Sequence, residues 1–177
     1  IIERVFHVQI SEAQAPVWNE TVRFFELSRD GTPIGNFYLD LYARPGKRPG
    51  ARMAEVRSRW LKPGGEQQLP VAQLVCNCAS PVGDKPALLT HDDVITLFHE
   101  FGHGLHGLLS RVGYHRLSGT QVLRDFVELP SQLFEHWLSQ PEVLCQHARH
   151  WQTGEPIPMS LVERLTAAER WGQGYET

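Results

Sequence analysis

His-Glu-Phe-Gly-His at residues 99–103 commits the middle of this chain to a helix. His99 and His103 are four residues apart, so on a helix they share one face and their imidazoles stand one turn apart. One zinc ion can accept a nitrogen from each. Glu100 lies beside His99 and three residues before His103, so its carboxylate reaches a water on that metal without being a ligand itself. Two ligands fall short of the three that a catalytic zinc takes beside one open position. The pattern therefore sends the search for a third ligand to the rest of the chain.

The flanks support the helix. Thr90, with Asp93 three residues on, reads as a capping box with Asp in place of Glu, and Asp92 and Asp93 suit the positive end of the helix dipole. Val94, Leu97, Phe98, Phe101, Leu105 and Leu108 keep a helical period, and the helix is expected to end near Arg111 to Gly113. Gly102, Gly104 and Gly107 interrupt it, at a cost of roughly 1 kcal/mol each against alanine. Such a cluster implies close approach by another backbone or by substrate.

The first half of the chain reads as β. Runs at Val5–Ile10, Thr21–Leu27, Ile34–Tyr42 and Leu69–Cys76 are strand candidates, with Ile1 to Phe6 also starting as a strand and Arg29-Asp30-Gly31 as a turn. Residues 43–68 hold Arg44, Lys47, Arg48, Arg52, Arg57, Arg59 and Lys62 among Gly and Pro. We read this segment as a solvated connection rather than a nucleic-acid patch or a contact for a peptide's C-terminal carboxylate, because only Trp60 offers a stacking platform. The second half reads as helical. An amphipathic run over about 121–139 contains Pro130, so it is kinked or starts late, and Ser160 with Glu163 caps a last helix bearing Leu161, Leu165 and Ala168. The expected fold is α+β: a small, mostly antiparallel or mixed sheet followed by zincin-type active-site helices. We expect one catalytic domain, β-rich over 1–80 and helical and metal-binding over 90–177.

Bulk properties exclude some functions. A net charge of −3 argues against non-specific nucleic-acid binding, and no apolar run approaches a membrane span. The N-terminus has no leader pattern. Cys76, Cys78 and Cys145 form no disulfide framework, which fits a reducing, cytoplasmic setting. Cys76 and Cys78 are expected to be buried free thiols on a strand.

Three residues are candidates for the third ligand. His106 follows His103 on the same face, but the long zincin motif needs Gly there and His at Leu109. We read His106 as a polar residue near the site. His115 stands in a Gly-Tyr-His loop that nothing orients. Glu128 lies on a segment that can return beside the first helix, with Asp125 and Glu135 on or near its face. Either of those carboxylates could accept the free N–H of a ligand histidine, although a solvated helix would scatter charges in the same way.

His-Glu-Phe-Gly-His-Gly-Leu-His at 99–106, Ser-Gly-Thr at 118–120 and Asp-Phe-Val-Glu-Leu-Pro-Ser-Gln at 125–132 resemble the thimet oligopeptidase family of zinc metallopeptidases. Phe-Tyr-Leu-Asp-Leu-Tyr-Ala-Arg at 37–44 and Val-Gly-Asp-Lys-Pro-Ala-Leu-Leu-Thr at 82–90 resemble its bacterial oligopeptidase A branch. The resemblance implies that His99, His103 and Glu128 bind one zinc ion and that Glu100 is the general base. It implies a zinc-dependent endopeptidase acting on short oligopeptides. It also implies a longer protein, in which a downstream Gly-rich segment with Tyr and His contacts substrate, so this chain is expected to be a catalytic-core fragment. Tyr175 is not one of those tyrosines. The rival reading is a non-catalytic zinc-binding fragment that lacks that segment.

Overall fold

The computed structural model describes residues 1–170. The strands are β1 (Gln9–Ala13), β2 (Arg23–Arg29), β3 (Thr32–Tyr42), β4 (Arg52–Arg57), β5 (Trp60–Leu61), β6 (Gln67–Gln68) and β7 (Val71–Cys78). Five of them form a mixed sheet in the order β1-β2-β3-β7-β4, and β5 and β6 pair separately. Only β3 and β7 run parallel; the other neighbours are antiparallel. Asp30 and Gly31, with φ of 50° and 73°, make the tight turn from β2 to β3. The sheet and the helices that follow give the expected α+β fold.

Two expectations need correction. The N-terminus is not a strand. Ile2–Phe6 forms a short helix, α1, and His7 ends it in the left-handed conformation at φ 52°. Ile2 and Phe6 are four residues apart, and both pack on the core, which a helix permits. The basic segment 43–68 is also more than a connection, since it contains β4, the edge strand beside β7. Met53 supplies its core contact, and the arginines at either end of the strand mask that signal in the sequence.

Among the described residues, five α-helices follow α1: α2 (His91–Leu108), α3 (Arg124–Val127), α4 (Leu129–Glu135), α5 (Pro141–His147) and α6 (Met159–Arg170). One face of the sheet packs on α2 through Leu27, Phe37, Ala72, Leu74, Leu105 and Leu108, with Phe134 of α4 closing the cluster. Gly35 lies against Leu108 and Pro70, and Gly104 lies against Leu74, so α2 runs opposite to β7. Helix α6 starts one residue before the expected cap Ser160, because the carbonyl of Pro158 accepts the N–H groups of Leu161 and Val162. Val162 is buried, whereas Leu161 is 43% exposed. Tyr175 lies outside the described residues.

The opposite face of the sheet carries a buried charge. Asp40 is 2% exposed. Its carboxylate accepts bonds from Arg44 at 2.6 and 2.8 Å, from Lys47 Nζ at 2.9 Å and from Trp18 Nε1 at 3.1 Å. Burial pushes this carboxyl up, but the bonds from Arg44, Lys47 and Trp18 outweigh it and hold it at about 2. A pKa lowered on folding contributes stability above the unfolded value near 3.8, and that stability is lost as pH falls through the folded value. The contribution is on the order of 2 kcal/mol. Thermal unfolding followed from pH 5 down to pH 2 is therefore expected to show an acid limb that Asp40→Asn flattens. An equally steep limb in Asp40→Asn would contradict this.

Candidate metal centre

Helix α2 starts where the sequence places it. Thr90 Oγ1 accepts the Asp93 N–H at 3.1 Å, and the Asp93 carboxylate accepts the Thr90 N–H at 2.9 Å. The helix then carries His99, Glu100 and His103 over the sheet to an end at Leu108. The imidazole centroids of His99 and His103 are 4.9 Å apart.

The expected run over 121–139 is broken at Glu128, which closes α3 and opens α4 with φ −82° and ψ −13°. Pro130 fits in the first turn of α4 because no N–H is needed there. A short 3-10 turn at His136–Ser139 follows α4. Gly102 lets α4 close onto α2. A Cβ at this position would meet the backbone of the α4 start, 2.5 Å from Ser131 Cα and 2.7 Å from the Pro130 carbonyl oxygen. Nearer the helix end, Gly119 crosses at Gly107, where a Cβ on Gly119 would lie 2.7 Å from Gly107 Cα. Within the cluster, close backbone approach thus requires Gly102; at the second crossing it requires Gly119, since a Cβ on Gly107 meets nothing within 4 Å.

This packing brings three donors together. Oε2 of Glu128 lies 3.4 Å from His99 Nε2 and 3.2 Å from His103 Nε2. One donor atom from each of the three residues lies within 4.8 Å of the others. Tetrahedral bonds of ~2.0–2.1 Å would separate donor atoms by ~3.3–3.4 Å. Two imidazoles and a carboxylate at these spacings therefore fit a zinc-sized cation. The other nitrogen of His99, Nδ1, is 2.5 Å from Oε1 of Glu135. An Nδ1–H donated to that carboxylate leaves the Nε2 lone pair facing Glu128.

The remaining candidates are dispersed. Asp125 is exposed on α3 and bonds neither histidine. His106 turns its ring edge to Phe126 at 6.0 Å, and burial together with the neighbouring His103 pushes its imidazole down. His115 lies against Trp60 at 5.8 Å. Glu100 is 8% exposed. The buried thiol of Cys76 feels its charge and is pushed up to about 12 by burial, then by Cys78 and Glu100. Cys76 and Cys78 are buried free thiols on β7, as expected. Sequence reasoning passed over Ser131, which is fully buried and bonds Glu128; its one signal was a hydroxyl three residues past a ligand candidate.

Two histidines around a glutamate on one helix, with the carboxylate of Glu128 brought beside them, make a candidate site for a metal-dependent hydrolase. The chain belongs to Peptidase family M3, whose pattern matches residues 1–177. It is 47% identical to oligopeptidase A of Escherichia coli over 174 residues, which is 97% of this chain and 26% of that protein. It is 45% identical to dipeptidyl carboxypeptidase of Escherichia coli over 163 residues, 91% of this chain and 23% of that protein. It is 42% identical to organellar oligopeptidase A of Arabidopsis thaliana over 182 residues, 98% of this chain and 23% of that protein. The chain thus spans about a quarter of the length of these relatives.

Proposed function

We propose that this chain is the metal-binding core of a zinc-dependent endopeptidase that hydrolyses short oligopeptides in the cytoplasm. The observation that carries the reading is the position of Glu128 Oε2, 3.4 and 3.2 Å from the two imidazole nitrogens. His99, His103 and Glu128 would hold one zinc ion, and the donor set of two nitrogens and an oxygen suits that metal. When bound, the ion supplies Lewis acidity: it lowers the pKa of a water to ~7 and polarises a scissile carbonyl.

The chain's own residues do the rest. Glu100 accepts the proton of the attacking water and delivers it to the leaving amine. Glu135 holds the Nδ1–H of His99, so the ring keeps Nε2 directed at the site. The three free cysteines support a reducing, cytoplasmic setting. The β-rich part (1–80) and the helical part (90–177) act as one catalytic domain in this reading, because α2 is built on the sheet.

Glu128→Ala tests the ligand set. In the full-length protein its Zn²⁺ affinity is expected to fall about 100-fold, the top of the ~10–100-fold range for residues that only support a ligand. Metal analysis after dialysis against a chelator measures the loss. Equal zinc content in both forms would exclude Glu128 as a ligand and favour a non-catalytic role for the histidine pair.

A further inference from the structure

We propose that Ser131 is a positioning residue for Glu128, and that its hydroxyl pins the one carboxylate oxygen that faces both histidines. The proposal rests on the reading of His99, His103 and Glu128 as metal ligands. Ser131 Oγ lies 2.9 Å from Glu128 Oε2 and 2.8 Å from the Glu128 carbonyl oxygen. A serine hydroxyl has one proton to donate, and an ionised carboxylate is the stronger of the two acceptors. The carbonyl already accepts the Gln132 N–H at 2.9 Å, so its helical bond is made without Ser131.

Glu128 needs such an anchor. Its side chain is 46% exposed, and it stands at the junction of two short helices. An unanchored glutamate there would spread over several rotamers and into solvent. Ser131 is 0% exposed, and its backbone is the part of α4 that meets Gly102. The hydroxyl is therefore fixed relative to the stretch of α2 between Glu100 and His103. A bond from it to Oε2 ties the flexible carboxylate to the same backbone that carries the histidines.

A plainer account of Ser131 makes it a small residue required by the close approach, with its hydroxyl bonded back to a helix carbonyl. Alanine is as small, and the carbonyl keeps its bond from the Gln132 N–H without the hydroxyl, so that account expects little change and the two views predict different outcomes for Ser131→Ala. The experiment measures Zn²⁺ affinity of the full-length protein by competition with a chromophoric chelator. Four forms are compared: the parent, Ser131→Ala, Glu128→Ala and the double variant. Thermal unfolding of each metal-free form is recorded alongside. Ser131→Ala is expected to weaken Zn²⁺ binding about 10-fold while the metal-free protein keeps a cooperative unfolding transition. Adding Ser131→Ala to Glu128→Ala is expected to cost nothing further, because the hydroxyl acts through that carboxylate. Parent-like affinity in Ser131→Ala would overturn the proposal, as would the same 10-fold loss in the absence of Glu128. Unchanged affinity in Glu128→Ala alone would instead remove the ligand reading on which the proposal stands. Ser131→Gly, which also lacks the hydroxyl, replaces Ser131→Ala in the comparison if the alanine variant does not fold.

Discussion

Full-length Glu100→Gln protein is expected to bind Zn²⁺ as the parent does and to lose about 10²–10⁴-fold in kcat/KM for a short peptide. Glutamine has the same shape as glutamate but cannot accept a proton. The substitution therefore removes the proposed proton carrier and leaves the three proposed ligands untouched. The loss is expected in kcat as much as in kcat/KM, because the proton transfer belongs to the transition state and contributes little to holding the peptide. The surroundings of Glu100 favour a clean result. It is 8% exposed, and Cys76 and Cys78 on β7 beneath α2 have their thiols pushed up, so they carry no charge at neutral pH. Zinc analysis and steady-state kinetics on the same preparation decide the matter. Unchanged turnover with full zinc would sink the assignment of Glu100 as base, and loss of zinc would show that Glu100 supports the site in another way.

Local chemistry decided which parts of this site could be read from the sequence. The spacing of His99, Glu100 and His103 fixes their relative positions once the segment is helical, and the Thr90–Asp93 box is visible in four consecutive residues. Glu128 is different. Its place beside the histidines depends on how closely α4 packs on α2, and residue spacing carries no such information; a resemblance to known proteins singled it out. The reading of 121–139 as one amphipathic run, kinked at Pro130 or starting late, put Asp125 and Glu135 on or near one face with Glu128. Asp125 stands instead in solvent on α3, whereas Glu135 at the end of α4 bonds His99. In the sheet, β4 was hidden because Arg52 and Arg57 bracket Met53 and the segment scores as polar. At the N-terminus, Val5 and Phe6 favoured a strand on propensity, while the packing of Ile2 and Phe6 on the core selected a helical turn.

Gly102→Ala tests whether that helix contact sets the metal site, and two opposing effects decide its outcome. Alanine in place of glycine favours a helix interior by ~1 kcal/mol. Against this, the new methyl would lie 2.5 Å from Ser131 Cα, 2.7 Å from the Pro130 carbonyl oxygen and 2.9 Å from Ser131 N. All three neighbours are backbone atoms, so no side-chain rotation relieves the clash and α4 must move off α2. Overpacking of this kind costs ~1–3 kcal/mol, and backbone neighbours place it at the upper end. The motion also carries Ser131 and Glu128 away from the histidines. Donor atoms held at 3.2 and 3.4 Å share an ion only within a few tenths of an ångström, so Zn²⁺ affinity is expected to fall roughly 100-fold or more. Gly107→Ala is the matched control. It lies on the same helix, a Cβ there meets nothing within 4 Å, and it is expected to keep zinc and to gain up to ~1 kcal/mol of stability. Unfolding temperatures and chelator competition on both variants separate helix propensity from packing. If Gly102→Ala matches Gly107→Ala in both measurements, the α2–α4 contact does not position the site, and Glu128 must be held there by another part of the protein.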